Sequence, residues 1–277
     1  MRLDSHQHFW DFGANSADYV WMSTAEADLR RDFMPEMLAP LLEEMGFNGC
    51  IAVQAREMTD ENTFLLGLAE RFSWIKGVVG WIDLTADHVE AAIEAAIHPN
   101  LKGLRMVIHD HVDPDFADCT AHRRGIAALA RHTLTYDLLI RPREMAAALR
   151  LVDAFPHQPF VVDHLAKPKL DGSDWATWSA GLSQLAERPN VWAKLSGLVT
   201  LGPWDAWREQ DYARFLDFAT TQFGVGRCMI GSDWPVSTLA ASHTETLGVV
   251  KGWAQALSED EQAAILGGSC AAFYGVK

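Results

Sequence analysis

Cysteine is scarce in this sequence and nowhere paired. Cys50, Cys119, Cys228 and Cys270 stand alone, with no C-x-x-C spacing, which excludes a disulfide scaffold, a zinc ribbon and a thioredoxin-like redox motif. Cys50 and Cys228 sit in apolar runs and are expected to be small core residues. Basic charge is also short. With 23 Lys and Arg against 37 Asp and Glu, the formal net charge is −14, whereas a phosphate backbone requires clustered cations, so a nucleic-acid partner is excluded. The acidic residues form no block and are expected to be a solvated outer surface; an anionic substrate would need a local cationic pocket. No apolar run approaches the ~18 residues that a membrane helix needs. The first residues carry Arg2, Asp4, His6 and His8, a poor secretory signal, and a reducing cytoplasm is the expected compartment. The glycine fingerprint of a dinucleotide fold is missing as well, because Phe9-Trp10-Asp11-Phe12 follows the first apolar run. That speaks against a doubly wound nucleotide-binding sheet.

What the chain does contain is a succession of short apolar runs, at residues 3–9, 50–54, 76–83, 101–108, 134–141, 160–164, 191–196 and 228–233. They are rich in Val, Ile, Leu and Trp and read as strands buried on both faces, as in a parallel sheet. Helical patterns separate them. Met145, Leu149 and Val152 make one apolar stripe after Pro142, spaced for a helix face. Ser258 with Glu261 has the capping-box spacing that opens a last helix, and Gly267-Gly268 is expected to break it, leaving 271–274 as a short final turn. Eight strands alternating with helices, without the glycine fingerprint, predict an α/β fold: a distorted (βα)8 TIM barrel in which residues 1–277 form a single domain. Residues 13–35 are long for a βα connection and are expected to be an active-site loop.

In such a barrel the chemistry sits at the C-terminal strand ends. Those ends carry His6 and His8, Gln54, Asp83, Arg105 with His109, Asp137 or Arg141, Asp163-His164 with Lys167, Lys194 with Ser196, and Asp233. Polar groups at nearly every end of otherwise apolar runs point to one shared site. His6 and His8, two apart in a strand, face the same side, as paired ligands of a metal or an anionic oxygen must. Lys194 lies in a buried run, where an unpaired ammonium is costly, so it is either a site residue or an ion-pair partner. Asp163 is placed to orient a histidine. Trp10, Trp21, Trp81 and Trp234 are candidates to line the mouth, with core packing the alternative for Trp81.

The motifs His6-Gln7-His8, Val162-Asp163-His164-Leu165-Ala166-Lys167-Pro168, Lys194-Leu195-Ser196-Gly197 and Gly231-Ser232-Asp233-Trp234-Pro235 resemble the amidohydrolase superfamily. They are most similar to its lactonase-like branch of L-fuconolactonases and related sugar and pyrone-dicarboxylate lactonases. The resemblance implies that His6, His8, His164 and Asp233 cluster around the scissile carbonyl, where many members hold divalent metal. A two-metal site in the superfamily also uses a strand-five histidine, which the run Leu134 to Ile140 lacks; His132 precedes that strand, at its wrong end. At most one divalent metal, Zn2+ by preference, is therefore expected, and some members of the branch use none; no organic cofactor is implied. The branch often has a histidine where this chain has Met106. His109 and His111 either replace it or are solvated loop residues.

The resulting expectation is a hydrolase that opens a sugar-acid lactone, with Asp233 as general base for water. His6, His8 and His164 would polarise the carbonyl directly or through the metal. Gln54, Arg105, Arg141, Lys167, Lys194 and Trp234 are the candidates for binding substrate. The expected partner is a small sugar lactone, with no nucleic acid or membrane, and a homo-oligomer is compatible with the sequence. The alternatives are a metal-dependent decarboxylase of the same superfamily and a non-catalytic ligand-binding barrel.

Overall fold

A computed structural model describes residues 1–277. Eight short strands, β1 (Leu3–Gln7), β2 (Gly49–Val53), β3 (Ile75–Gly80), β4 (Leu101–Val107), β5 (Thr135–Leu139), β6 (Phe160–Val162), β7 (Val191–Leu195) and β8 (Cys228–Ile230), coincide with the eight apolar runs. All pair in parallel, in chain order, with helices packed outside them. This is a (βα)8 barrel. The seam between β8 and β1 closes beyond the regular strands. There Asp233 N–H donates to His6 O, and His8 N–H to Trp234 O, each at 2.7 Å. Asp4 staples the same seam with its carboxylate, accepting from Ser232 N–H at 2.9 Å and Ser232 Oγ–H at 2.6 Å. Gly231 is required here, since a Cβ would stand 2.8 Å from that of His6.

The register of β1 against β2 shifts between Asp4 and Gln7. Leu3 joins Ile51, Val53, Val79, Val161 and Met229 in an apolar floor inside the barrel. Asp4 and Gln7 instead face the surrounding helices, where Gln7 Nε2–H donates to Cys50 Sγ at 3.1 Å. The shift lets His6 and His8 both point inward although Leu3 does too, a parity that an unbroken strand forbids.

The helix Met145–Ala154 buries Met145, Leu149 and Val152, as its spacing predicts. Ser258 and Glu261 make both bonds of a capping box. The glycine pair does not simply stop that helix. The chain widens into a π-helical turn (Ala264–Gly268) and resumes as the helix Ser269–Tyr274, because Gly267 passes so close to the N-terminus that a Cβ would lie 2.4 Å from Met1 O. The last helix plugs the barrel floor with Phe273 and Tyr274. Residues 13–35 hold only isolated helical turns, and Arg56 secures them, with Nη1 2.8 Å from Asp18 and Nε 2.8 Å from Glu61. No helix is long and apolar enough to cross a membrane.

One buried histidine outside the site sets an acid limit on the fold. His122 donates Nδ1–H to Ala117 O at 2.7 Å and accepts from Tyr136 Oη–H at 2.8 Å, and burial lowers its pKa to about 4. Its pKa in the unfolded chain is about 6.5, so below that pH the unfolded state binds the extra proton. The neutral ring thus favours folding above pH ~6.5, and this contribution is lost as pH falls through about 4, amounting to roughly 3 kcal/mol. Urea unfolding of wild type and His122→Gln between pH 7 and 4.5 is expected to show a shallower acid loss in the variant. Parallel profiles would refute the assignment.

Candidate active site

The C-terminal strand ends enclose a cavity of about 220 Å³, lined by His8, Trp10, Trp21, Gln54, Arg105, His109, Asp110, His164, Lys167 and Asp233 among others. At its base four side chains converge. The Nε2 atoms of His6 and His8 are 3.2 Å apart, and Asp233 Oδ1 lies 3.7 Å from His6, 3.3 Å from His8 and 3.9 Å from His164. Burial opposes the charge of Asp233, but the imidazoles of His164, His8 and His6 more than offset it and hold the carboxyl well below its ordinary range. A carboxylate ionised at neutral pH results.

Each histidine is fixed by its second nitrogen. His8 Nδ1–H donates to Val53 O at 2.9 Å, which aims Nε2 at His6 and Asp233. His164 Nδ1 meets Ser196 Oγ at 2.9 Å, and burial lowers the His164 pKa to about 4. His6 is flanked by two cations, with Lys194 Nζ 3.1 Å from Nδ1 and Arg105 Nη1 3.3 Å from Nε2. Burial first, and Lys194 next, push its pKa far below the usual value.

Beneath the histidines runs a buried ionic layer. Lys194 Nζ–H donates to Asp137 Oδ2 at 2.5 Å and approaches Asp163 Oδ1 at 3.0 Å, while Arg105 Nη1–H donates to Asp163 Oδ2 at 3.0 Å. Tyr274 Oη–H reaches up from the barrel floor to Asp137 Oδ2 at 2.8 Å. Burial raises the Asp137 carboxyl to about 6 against the pull of Lys194. For Asp163 the sign reverses: Lys194, His6 and Arg105 outweigh burial and hold it well below the ordinary value.

The donor set fits one divalent ion. His6, His8 and Asp233 have metal-ligand spacing, and their separations of 3.2–3.7 Å bracket the ~3.3–3.4 Å edge of a tetrahedron with Zn–N and Zn–O bonds near 2.0–2.1 Å; His164 stands at the edge of this group, 3.9 Å from Asp233. Two imidazole nitrogens 3.2 Å apart also need a proton or a cation between them. A second grouping, His6 with Asp163 and His164, also has metal-ligand spacing, but both oxygens of Asp163 already face Lys194 and Arg105.

Several residues expected at the mouth lie elsewhere. Lys194 is wholly buried in the ionic layer and does not line the cavity. Trp234 is a core residue, its ring edge-on to Phe9 and Phe33, because its backbone, not its side chain, serves the seam. Arg141 stands half-exposed at the rim, 3.7 Å from Asp110. Asp83 caps a turn by accepting from Thr85 N–H and Oγ–H and borders, with Trp81, a separate groove. Gln54 and Arg105 do line the cavity. Arg105 donates Nη2–H to Gln54 Oε1 at 2.8 Å, leaving the buried Gln54 Nε2 without a partner. His109 is not a solvated loop residue. It is half-buried and lines the cavity against Lys167, Nζ to Nε2 2.9 Å, whereas His111, also half-buried, does not line it and stacks on Phe116. Burial brings Lys167 down to about 8 and His109 to about 3. The repeated histidines of Ile108-His109-Asp110-His111 were the available signal for this part of the wall; for Tyr274 the sequence held none.

The comparisons with known proteins agree with this arrangement. The amidohydrolase family model matches residues 3–276. The L-fucono-1,5-lactonase of Burkholderia multivorans (strain ATCC 17616 / 249) is 38% identical over 287 residues, spanning 100% of this chain and 96% of its own. That of Burkholderia ambifaria is 35% identical, spanning 100% of this chain and 96% of its own. A crystal structure of an amidohydrolase from Burkholderia multivorans with bound zinc superposes with a TM-score of 0.95 at 38% identity, over 100% of both chains. With eight parallel strands, inward histidines on β1 and an aspartate after β8, the chain belongs to the amidohydrolase family.

Proposed function

We propose that the chain works as one domain and hydrolyses a sugar-acid lactone, with Asp233 as general base. The observation that carries this is an ionised carboxylate set among three imidazoles at the base of a small cavity. Its volume, about 220 Å³, falls below the ~300–1,000 Å³ that drug-sized ligands fill and suits a neutral lactone of monosaccharide size. The two lactonases that share more than a third of their residues with the chain support the same substrate class.

Ring opening needs a base for water, polarisation of the carbonyl and a proton for the leaving oxygen. Asp233 Oδ1, charged and within reach of the cavity, takes the proton of the attacking water. The imidazoles of His6, His8 and His164 face the carbonyl and stabilise the negative charge that develops on its oxygen. Gln54 Nε2, a buried donor without a partner in the protein, is matched to a substrate hydroxyl or carbonyl, because a binding site leaves such a group for its ligand. Trp10 and Trp21 offer apolar faces to the ring carbons. A divalent ion held by His6, His8, His164 and Asp233 would supply Lewis-acid polarisation of the carbonyl. A purely binding role has no use for a carboxylate kept ionised at this depth.

Lys194 and Arg105 beside His6 repel a cation, so occupancy is expected to be low and at most one ion per chain. Elemental analysis of protein purified without chelator is expected to give at most one equivalent of zinc, falling further in His8→Ala. Two equivalents per chain would overturn the one-ion site.

Asp233→Asn preserves the shape of the residue and removes the base. Turnover of the best substrate in a panel of five- and six-carbon aldonolactones, read by proton release, is expected to fall on the order of 10²–10⁴-fold. A folded variant with near-normal turnover would refute Asp233 as base. Amidase or phosphotriesterase activity above lactonase activity would refute the substrate class.

A further inference from the structure

The cavity holds a second proton-bearing group with no assigned part in ring opening. Lys167 lines it together with Asp233, yet makes no ion pair; its ammonium is held only by His109, Nζ to Nε2 2.9 Å. His109 is itself fixed. Its Nδ1 stands 2.7 Å from Asp110 Oδ1, a carboxylate that is 61% exposed. The Lys167 ammonium can only donate, so Nε2 is the acceptor and the ring proton sits on Nδ1, close to that carboxylate but without a hydrogen bond to it. The other two N–H bonds of the ammonium remain free for a ligand. Lys167 owes its position to a run of four left-handed residues, His164, Leu165, Ala166 and Lys167, with φ of 52°, 52°, 57° and 50°. Each costs roughly 1–2 kcal/mol outside glycine, and the run sets His164 and Lys167 one tight turn apart, both lining the cavity.

We infer that Lys167 is the acid of the reaction, giving the proton that the ring oxygen needs as it leaves, and that His109 and Asp110 aim it. This rests on the lactonase function proposed above. The other cavity cation cannot serve, since the Arg105 guanidinium does not release a proton in proteins and is spent on Asp163 and Gln54. Water attack, with Asp233 taking one proton, gives a tetrahedral intermediate that bears one hydroxyl and one oxyanion. Collapse re-forms the C=O bond and breaks the bond between the former carbonyl carbon and the ring oxygen. The electron pair of that bond stays on the ring oxygen, which takes a proton from Nζ and becomes the new hydroxyl. Lys167 is left as a neutral amine and recovers its proton from the newly formed carboxylic acid. Asp233 returns its own proton to solvent, so each turnover yields one carboxylate and releases one proton.

Lys167→Arg separates this role from binding, because arginine keeps the charge and the hydrogen bonds but cannot give up a proton. Steady-state kinetics would use the lactone that wild type opens fastest, with circular dichroism confirming the fold of each variant. The expected result is a kcat lower by about 10²-fold with KM within about threefold of wild type. Lys167→Met is expected to lose as much kcat and to raise KM as well, and His109→Leu to lose less than either. Near-normal kcat in Lys167→Arg, or a change confined to KM in all three variants, would overturn the proposal. If Asp233→Asn is crippled while Lys167→Arg is not, only the acid assignment fails; wild type inactive on every lactone would sink both.

Discussion

An ammonium ion sealed inside the barrel is the constraint on which the rest of the site depends. TIM barrels ordinarily fill their interior with layers of branched apolar side chains. Here the lower layer obeys that rule, with Leu3, Ile51, Val53, Val79, Val161 and Met229 over the Phe273–Tyr274 plug. The layer above it replaces carbon with charge: Lys194 and Arg105 against Asp137 and Asp163. Two cations and two carboxylates leave it formally neutral, which makes the desolvation tolerable. Removing one member of such a set costs about 3–5 kcal/mol, since its partners stay buried and unpaired. Lys194, Arg105 and Asp163 then surround the two ring nitrogens of His6 at 3.1–3.4 Å, so the orientation of the first histidine is inherited from the ionic layer and not from the cavity above it.

The same economy governs closure of the barrel. The seam bonds run through Asp233, His6, His8 and Trp234, reinforced by the carboxylate of Asp4. Residues proposed to carry the chemistry thereby hold the last strand to the first. Their side-chain positions are set by backbone hydrogen bonds, which are stiffer than side-chain contacts, and the shift in β1 turns both imidazoles inward. This couples folding to site geometry in a way that a surface loop could not.

The strands were legible in the sequence because a strand covered on both faces must be a near-continuous apolar run, and eight such runs separated by helical patterns leave few folds to choose from. Their ends were less so. β6 stops at Val162 and β8 at Ile230, since the residues beyond them turn into left-handed or irregular backbone that composition does not announce. Asp233, His6, His8 and His164 were recognisable as a set from their motifs, and the structure brings each of the three imidazoles within 4 Å of the Asp233 carboxylate. Lys194 was rightly singled out as too costly to bury alone, but the partners that neutralise it are a strand-five aspartate and the residue before His164, contacts between distant parts of the chain. Trp234 misled because an aromatic beside a motif such as Gly231-Ser232-Asp233 serves the core as readily as a ligand. The part played by Tyr274 depends on the C-terminal helix folding back beneath the barrel, which no local pattern encodes.

The non-glycine residues with positive φ are three that line the cavity, His164, Lys167 and Asp233, and the two core residues, Leu165 and Ala166, that join the first two. Left-handed backbone in such residues persists only where surrounding structure over-determines it. The surroundings are identifiable. Trp178 Nε1–H donates to Leu165 O at 2.6 Å from the helical layer, Lys167 N–H closes the turn on His164 O at 2.9 Å, and the Asp233 N–H bond to His6 belongs to the barrel seam. The strain is therefore carried by the scaffold, and the ionisable groups need not move far to find one another when substrate enters. A site held this way has little reorganisation left to perform as charge develops, which is where preorganised electrostatics lowers a barrier. The cost falls on the fold's stability, and the buried ionic layer and the closed seam are the features that keep the fold intact while that strain is held.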